Sequence, residues 1–242
     1  MHSGLFLHTN TESELASVLA HEISHVTQRH LARSMEDQAN KSPAALAAIA
    51  GSLLLAIAAP QAGMAALTAT TAGQVQSQIN YTRSNEKEAD RFGIDVLEKA
   101  GLDPYAMPTF FGRLSDEYRY ASTPPAMLLT HPLPESRITD SRARAQTYAH
   151  VTLVPSLSFN LARARVVARY TDLDNANKLD WMNRREQKAD STTKMAYEYG
   201  KALVYLDNNQ IEKAQPIIES LLKGAPENHF YLDTAADLYI AQ

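Results

Sequence analysis

His21 and His25 stand four residues apart in the run His21-Glu22-Ile23-Ser24-His25. That spacing brings two imidazoles to one spot only if the chain is helical there. The flanking pattern agrees. Thr11-Glu12-Ser13-Glu14 has the form of a capping box, and Leu15, Val18, Leu19, Ile23, Val26 and Leu31 follow at helical spacing. One long helix from Thr11 to about Gln38 is predicted. Neutral imidazole is a good zinc ligand. Glu22 lies roughly a third of a turn round from His21, able to reach a water on a metal without binding the metal itself, which is the place of a general base.

Two histidines leave a catalytic metal one ligand short, because such sites use three protein ligands and keep a fourth position open. The chain has no cysteine, so the remaining ligand is His, Asp or Glu. The run Asn85-Glu86-Lys87-Glu88-Ala89-Asp90 supplies it. Glu86 and Asp90 share a helix face. Glu86 is read as the third ligand, and Asp90 as the group that orients a ligand histidine through its other ring nitrogen. An apolar stripe of Ala89, Phe92 and Val96 beside them argues against a merely solvated acidic face.

His131 sits among Pro125, Pro132 and Pro134, whose fixed backbone angles lower the cost of holding it in place. It is expected within ligand reach of the metal. There it would either donate to a developing oxyanion, with Arg137 as the other candidate donor, or bind as a fourth ligand and shut the site. His30 falls five residues past His25 and on a continuous helix points away from it. His2, His8, His150 and His229 have no partner at ligand spacing.

The rest of the chain reads as helices, apart from residues 4–8, predicted as a short strand that could hold an extended substrate by edge pairing. From Ser42 to Thr82 there is neither a charged residue nor a histidine. Its apolar core, Ala44–Ala59, is shorter than the roughly 20 residues of a membrane span. A buried or lid-like helical hairpin, Ala44–Ala59 and Ala62–Ala72, is expected, with peripheral membrane contact through 44–72 as a possible use. A helix over Gln74–Ala100 closed by Gly101 follows, then one from Pro104 to Tyr120, a proline-rich loop over 121–135 and a basic helix over Ser136–Tyr148. A break is expected near His150–Ser156. Beyond it, Ala202 and Tyr205 recur as Ala236 and Tyr239 at a period of 34 residues, with Ala214 and Pro226 between. That is the period of tetratricopeptide repeats, which build surfaces for partner proteins. Phe159–Asp190 is read as helical but off this pattern.

Hydrophobic residues at 45% and charged residues at 21% describe a folded globular chain. A net charge of -4 argues against a nucleic-acid partner.

Taken together, His21–His25, Glu86-x-Glu88-Ala89-Asp90 and His131-Pro132 with Arg137, in that order, resemble the M48 peptidases, a gluzincin group, over about residues 4–149. The resemblance implies a mainly α chain: a gluzincin-type metalloprotease domain at 1–150 with a short β element and its N-terminal part missing, then a tetratricopeptide-repeat region at 158–242 cut short at its C-terminus. It implies one zinc per chain and a zinc metalloendopeptidase that hydrolyses unfolded or misassembled proteins. The trailing repeats narrow this to periplasmic quality control and assembly of outer-membrane β-barrel proteins, in contact through the repeats with the machinery that assembles those barrels. Residues 1–10 lack the features of a signal peptide. An active helix starting so close to the first residue, and a last helix stopping at Gln242, are expected of a piece of a longer chain. The competing reading is a repeat-based chaperone or adaptor with a latent or vestigial zinc site. Glu22 weighs against it, since a structural site is closed by four ligands and needs no carboxylate beside a ligand histidine.

Overall fold

The computed structural model describes residues 5–119, 128 and 130–242, and among these all regular structure is helical. The chain divides into two compact units, Ala16–Val151, and Met1–Leu15 with Thr152–Gln242. Residues 120–127, with Pro124 and Pro125, and His2 lie outside the described residues.

The helices from the capping box onward are α2 (Glu12–Thr27), α3 (His30–Ala58), α4 (Pro60–Lys99), α5 (Ala106–Tyr118) and α6 (Glu135–Ala145). At the start of α2 the Thr11 hydroxyl accepts from the Glu14 amide, and the Glu14 carboxylate accepts from the Asn10 amide. The predicted single helix to Gln38 is broken at Arg29, which takes left-handed angles of φ 55° and ψ 37°. An L-residue there costs roughly 1–2 kcal/mol, and neither Gly nor Asn marks the place, so the break is invisible in the sequence.

The uncharged run forms a hairpin, but its boundaries differ from those expected. α3 passes through Pro43, and α4 is continuous across residues 72–74. An interior proline costs about 3 kcal/mol. Here α3 and α4 lie side by side, with Lys41 bonded to Ser77 and Gln38 to Gln78, so pairing along their length outweighs that local cost. The turn is Ala59 alone, and Pro60 opens α4 at a position that needs no amide donor. Nor is the hairpin buried. Leu46, Leu53, Leu54, Leu55, Ile57 and Met64 are all exposed. His30–Ala58 is long and apolar enough to cross a membrane by length and composition.

Gly101, at φ +71°, closes α4, with the Leu102 amide bonded back to Leu97 O at 2.9 Å. The second half of α4 packs against α6, and α6 against α5. Their buried residues include Ile94, Leu97, Met107, Phe110, Phe111, Leu114 and Ile138. Gly93 is needed where α4 meets α2, because a Cβ there would lie 3.3 Å from the His21 backbone nitrogen and 2.8 Å from Met107 Cε. That close approach brings Glu86 and Asp90 alongside the histidines of α2.

In the other unit, residues 5–8 are a helical turn, α1 (Leu5–His8), and not the predicted strand. Thr9 bonds back to Leu5 O through both its amide and its hydroxyl, and Arg163 Nε donates to Phe6 O at 2.8 Å. With its carbonyls so engaged and Leu7 against the core, the segment has no free edge for substrate pairing. The other helices are α7 (Leu157–Arg169), α8 (Asn175–Glu186), α9 (Ser191–Asp207), α10 (Ile211–Gly224) and α11 (His229–Ala241), with α7, α8 and α10 all packed on α9. Tyr197 and Tyr231, 34 apart, are both buried, as are Ala202 and Ala214. Tyr239, the repeat partner of Tyr205, is exposed on α11.

Candidate metal centre

Four side chains of the unit Ala16–Val151 converge: His21, His25, Glu86 and His131 each offer one ligand atom, and these atoms lie within 4.8 Å of one another. His21 Nε2 is 3.0 Å from His25 Nε2 and 3.3 Å from His131 Nδ1. Glu86 reaches His25 Nε2 at 3.2 Å, His21 Nε2 at 3.5 Å and His131 Nδ1 at 3.1 Å. A tetrahedral ion with bonds of about 2.0–2.1 Å spaces its donors about 3.3 Å apart, so this set fits zinc in donor type and spacing. Ring nitrogens meeting without a hydrogen between them repel, and a cation, whether a metal or a proton, relieves that repulsion.

His21 and Glu86 are each aimed by a partner behind them. His21 Nδ1–H donates to Asp90 Oδ1 at 2.9 Å, which turns Nε2 toward the cluster. Asp90, itself buried, is gripped by Arg137 through Nε at 2.8 Å and Nη2 at 2.7 Å. Arg137 Nη1 also pairs with Glu86 at 2.8 Å and donates to Pro132 O at 2.8 Å, next to His131, while its guanidinium lies over the Phe111 ring. The guanidinium is thus committed to the carboxylates and the loop, rather than free for an oxyanion. Glu22 is half-exposed beside the cluster, 3.4 Å from His131 Nε2. A small cleft lined by Val18, Phe111, Leu128 and Leu133 opens against His21, Glu22 and His131.

Burial pushes the His21 imidazolium toward losing its proton, but hydrogen bonds to Asp90 and Glu86 outweigh that and raise it to about 8. Burial likewise pushes Glu86 up, yet His131, His21, His25 and Arg137 together hold it far below the usual carboxylate range. A metal bound at His21 Nε2 would have to displace the proton that the imidazole, raised to about 8, otherwise holds. Zinc affinity is therefore expected to fall as the pH drops from 8 to 6, by up to about tenfold per unit from this group. Chelator competition at each pH measures it, and a flat profile would refute the proton competition.

The sequence reading missed His30. The break at Arg29 turns the chain so that His30 Nδ1 lies 2.9 Å from His25 Nδ1 instead of pointing away. His30 Nε2 meets Glu88 Oε2 at 3.1 Å, and Glu88 is paired with Arg33 at 2.9 Å. A third histidine within ten residues of His21 was the available signal. Of the other histidines, His150 stacks on Tyr105 in the same unit, apart from the cluster.

The model of peptidase family M48 matches residues 1–145. A curated relative in Vibrio cholerae is 66% identical over 238 residues, covering 98% of this chain and 49% of that protein. It is named, provisionally, a beta-barrel assembly-enhancing protease. The Escherichia coli K12 protein named beta-barrel assembly-enhancing protease is 48% identical over 242 residues, 100% of this chain and 50% of that protein. More distantly, the Escherichia coli metalloprotease LoiP is 26% identical over 147 residues, covering 60% of this chain and 54% of that protein. The chain spans about half the length of the beta-barrel assembly-enhancing proteases it matches. With the family match covering more than half of the chain and every helix that builds the histidine cluster, the chain belongs to peptidase family M48.

Proposed function

We propose that this chain carries the catalytic unit of a zinc metalloendopeptidase, with zinc held by His21, His25 and Glu86. The observation that supports this is the convergence of their ligand atoms beside Glu22, a carboxylate with no ligand role. Zinc bound there supplies Lewis-acid polarisation of a peptide carbonyl and a water acidified to around neutrality. Glu22, half-exposed and one residue from His21, takes the proton from the attacking water and passes it to the leaving amine. Asp90 and Arg137 keep the ligand shell in register. With zinc bound, His131 would offer a fourth donor and would close the shell that catalysis needs open, giving a resting, latched state. When the loop withdraws, the same imidazole is the nearest group able to donate to an oxyanion. Loading the purified chain with zinc should give one ion per chain and cleavage of unfolded casein, and chelation should abolish both. Cleavage that survives complete metal removal would refute the assignment.

The names of the relatives support a role in β-barrel assembly, from which we infer unfolded or misassembled outer-membrane proteins as substrates, a periplasmic address, and the barrel assembly machinery as a partner met through the repeat-like helices α9–α11. The exposed, uncharged hairpin supports peripheral contact with a bilayer through 44–72. Burying a Leu or Ile side chain is worth about 1.5–3 kcal/mol. Replacing Leu54 and Ile57 together by Glu should therefore lower co-flotation with lipid vesicles by a hundredfold or more, on the order expected for two such side chains. Undiminished flotation would exclude the hairpin as the contact.

A further inference from the structure

We propose that His30 is a positioning residue for the metal ligand His25, acting through a relay His25–His30–Glu88–Arg33; this rests on His25 being a ligand, as proposed above. Proton bookkeeping along the relay carries the inference. A carboxylate only accepts, so His30 Nε2, 3.1 Å from Glu88 Oε2, bears its hydrogen. The neutral His30 ring then has a bare Nδ1. His25 Nδ1, 2.9 Å away, must donate to it. The hydrogen of His25 is thereby fixed on Nδ1, and the Nε2 lone pair is left facing His21 Nε2 at 3.0 Å and Glu86 Oε1 at 3.2 Å. These tautomers are assigned from the partners.

The relay mirrors the Asp90–Arg137 pair behind His21. In each case a ligand imidazole donates backward, and the chain of partners ends on an arginine: Arg137 behind Asp90, Arg33 behind Glu88. The difference is that His25 is backed by a second imidazole, which places its carboxylate one ring further out. His30 is 4% exposed, so no water competes for its place. Its position depends on Arg29, whose left-handed angles fold the start of α3 back onto the last turn of α2. A residue held in that costly conformation at the edge of a site is accounted for if the turn serves the site. Glu88 lies between Glu86 and Asp90 on α4, so one helix supplies a ligand and the orienting carboxylates of both histidines.

The test is zinc affinity, measured by competition with a fluorescent chelator on the full chain, together with thermal melting of the metal-free protein. His30→Leu fills the space without an acceptor and should weaken zinc binding by roughly 10–100-fold. His30→Asn places a carboxamide oxygen near the Nδ1 position and should recover most of that loss, which a role in packing alone does not predict. Glu88→Ala, at a partly exposed position, releases the His30 tautomer and should weaken zinc several-fold with little change in melting. If His30→Leu does not fold, Glu88→Ala and His30→Asn decide: zinc affinity unchanged in Glu88→Ala would overturn the relay. So would equal losses in His30→Leu and His30→Asn. His25→Ala separates this inference from the one beneath it. Unchanged affinity in His25→Ala would sink the ligand assignment, whereas loss there with wild-type affinity in His30→Leu and Glu88→Ala would sink only the positioning role.

Discussion

Glu22→Gln is expected to lower cleavage of unfolded casein by roughly a hundred- to ten-thousand-fold, the usual contribution of a positioned general base, while the protein keeps one zinc per chain. The reason is the division of labour in the cluster. The four converging ligand atoms belong to His21, His25, Glu86 and His131, and Glu22 is not among them. Its side chain is half-exposed and meets His131 Nε2 at 3.4 Å, on the open side of the site. A glutamine there has nearly the same shape but cannot take a proton. Metal content by atomic emission and cleavage by peptide release should be measured on one preparation. Loss of zinc in Glu22→Gln would show that the carboxylate holds the metal shell together, and full activity would show that another group is the base.

For His131→Ala the expected direction is upward. With His131 Nδ1 3.3 Å from His21 Nε2 and 3.1 Å from Glu86, the protein supplies four donors where catalysis uses three. If the open form is a minor state of about 0.1–10%, removing the fourth donor raises cleavage of unfolded substrates by about tenfold or more. Zinc should remain bound, because His21, His25 and Glu86 are untouched. The side chain shares its surroundings with Arg137, which donates to Pro132 O and pairs with Glu86. Arg137→Ala is thus a poor substitute, since it would also release the ligand carboxylate. A fall in activity for His131→Ala, with zinc retained, would make His131 an oxyanion donor and exclude the latch.

The convergence of the candidate ligands was legible in the sequence because its couples are short-range. His21 and His25 lie four apart on one helix, and Glu86 and Asp90 four apart on another, so helical geometry alone pairs each couple. The absence of cysteine narrowed the candidate ligand types to His, Asp and Glu. What the sequence could not give was where helices stop when packing overrides local preference. A helix ending near Gln38 and a hairpin beginning at Ala44 were expected, yet α3 runs without a break from His30 through Pro43 to Ala58, with α4 alongside. Residues 4–8 look like a strand, yet Arg163, distant in sequence, takes the Phe6 carbonyl and a helical turn results.

The same distinction separates the site from its support. By itself the sequence determined a helical chain and the two helices that carry the candidate ligands His21, His25 and Glu86, because periodicity and spacing are local properties of the backbone. Only the tertiary structure decided that Gly93 lets α4 approach α2, that Arg137 spends its donors on Asp90 and Glu86, and that Arg29 turns His30 back onto His25. Those outcomes depend on contacts between residues as far apart in sequence as His21 and Gly93, or Asp90 and Arg137. Their energies favour one arrangement only once the helices are packed, and no single segment contains the information.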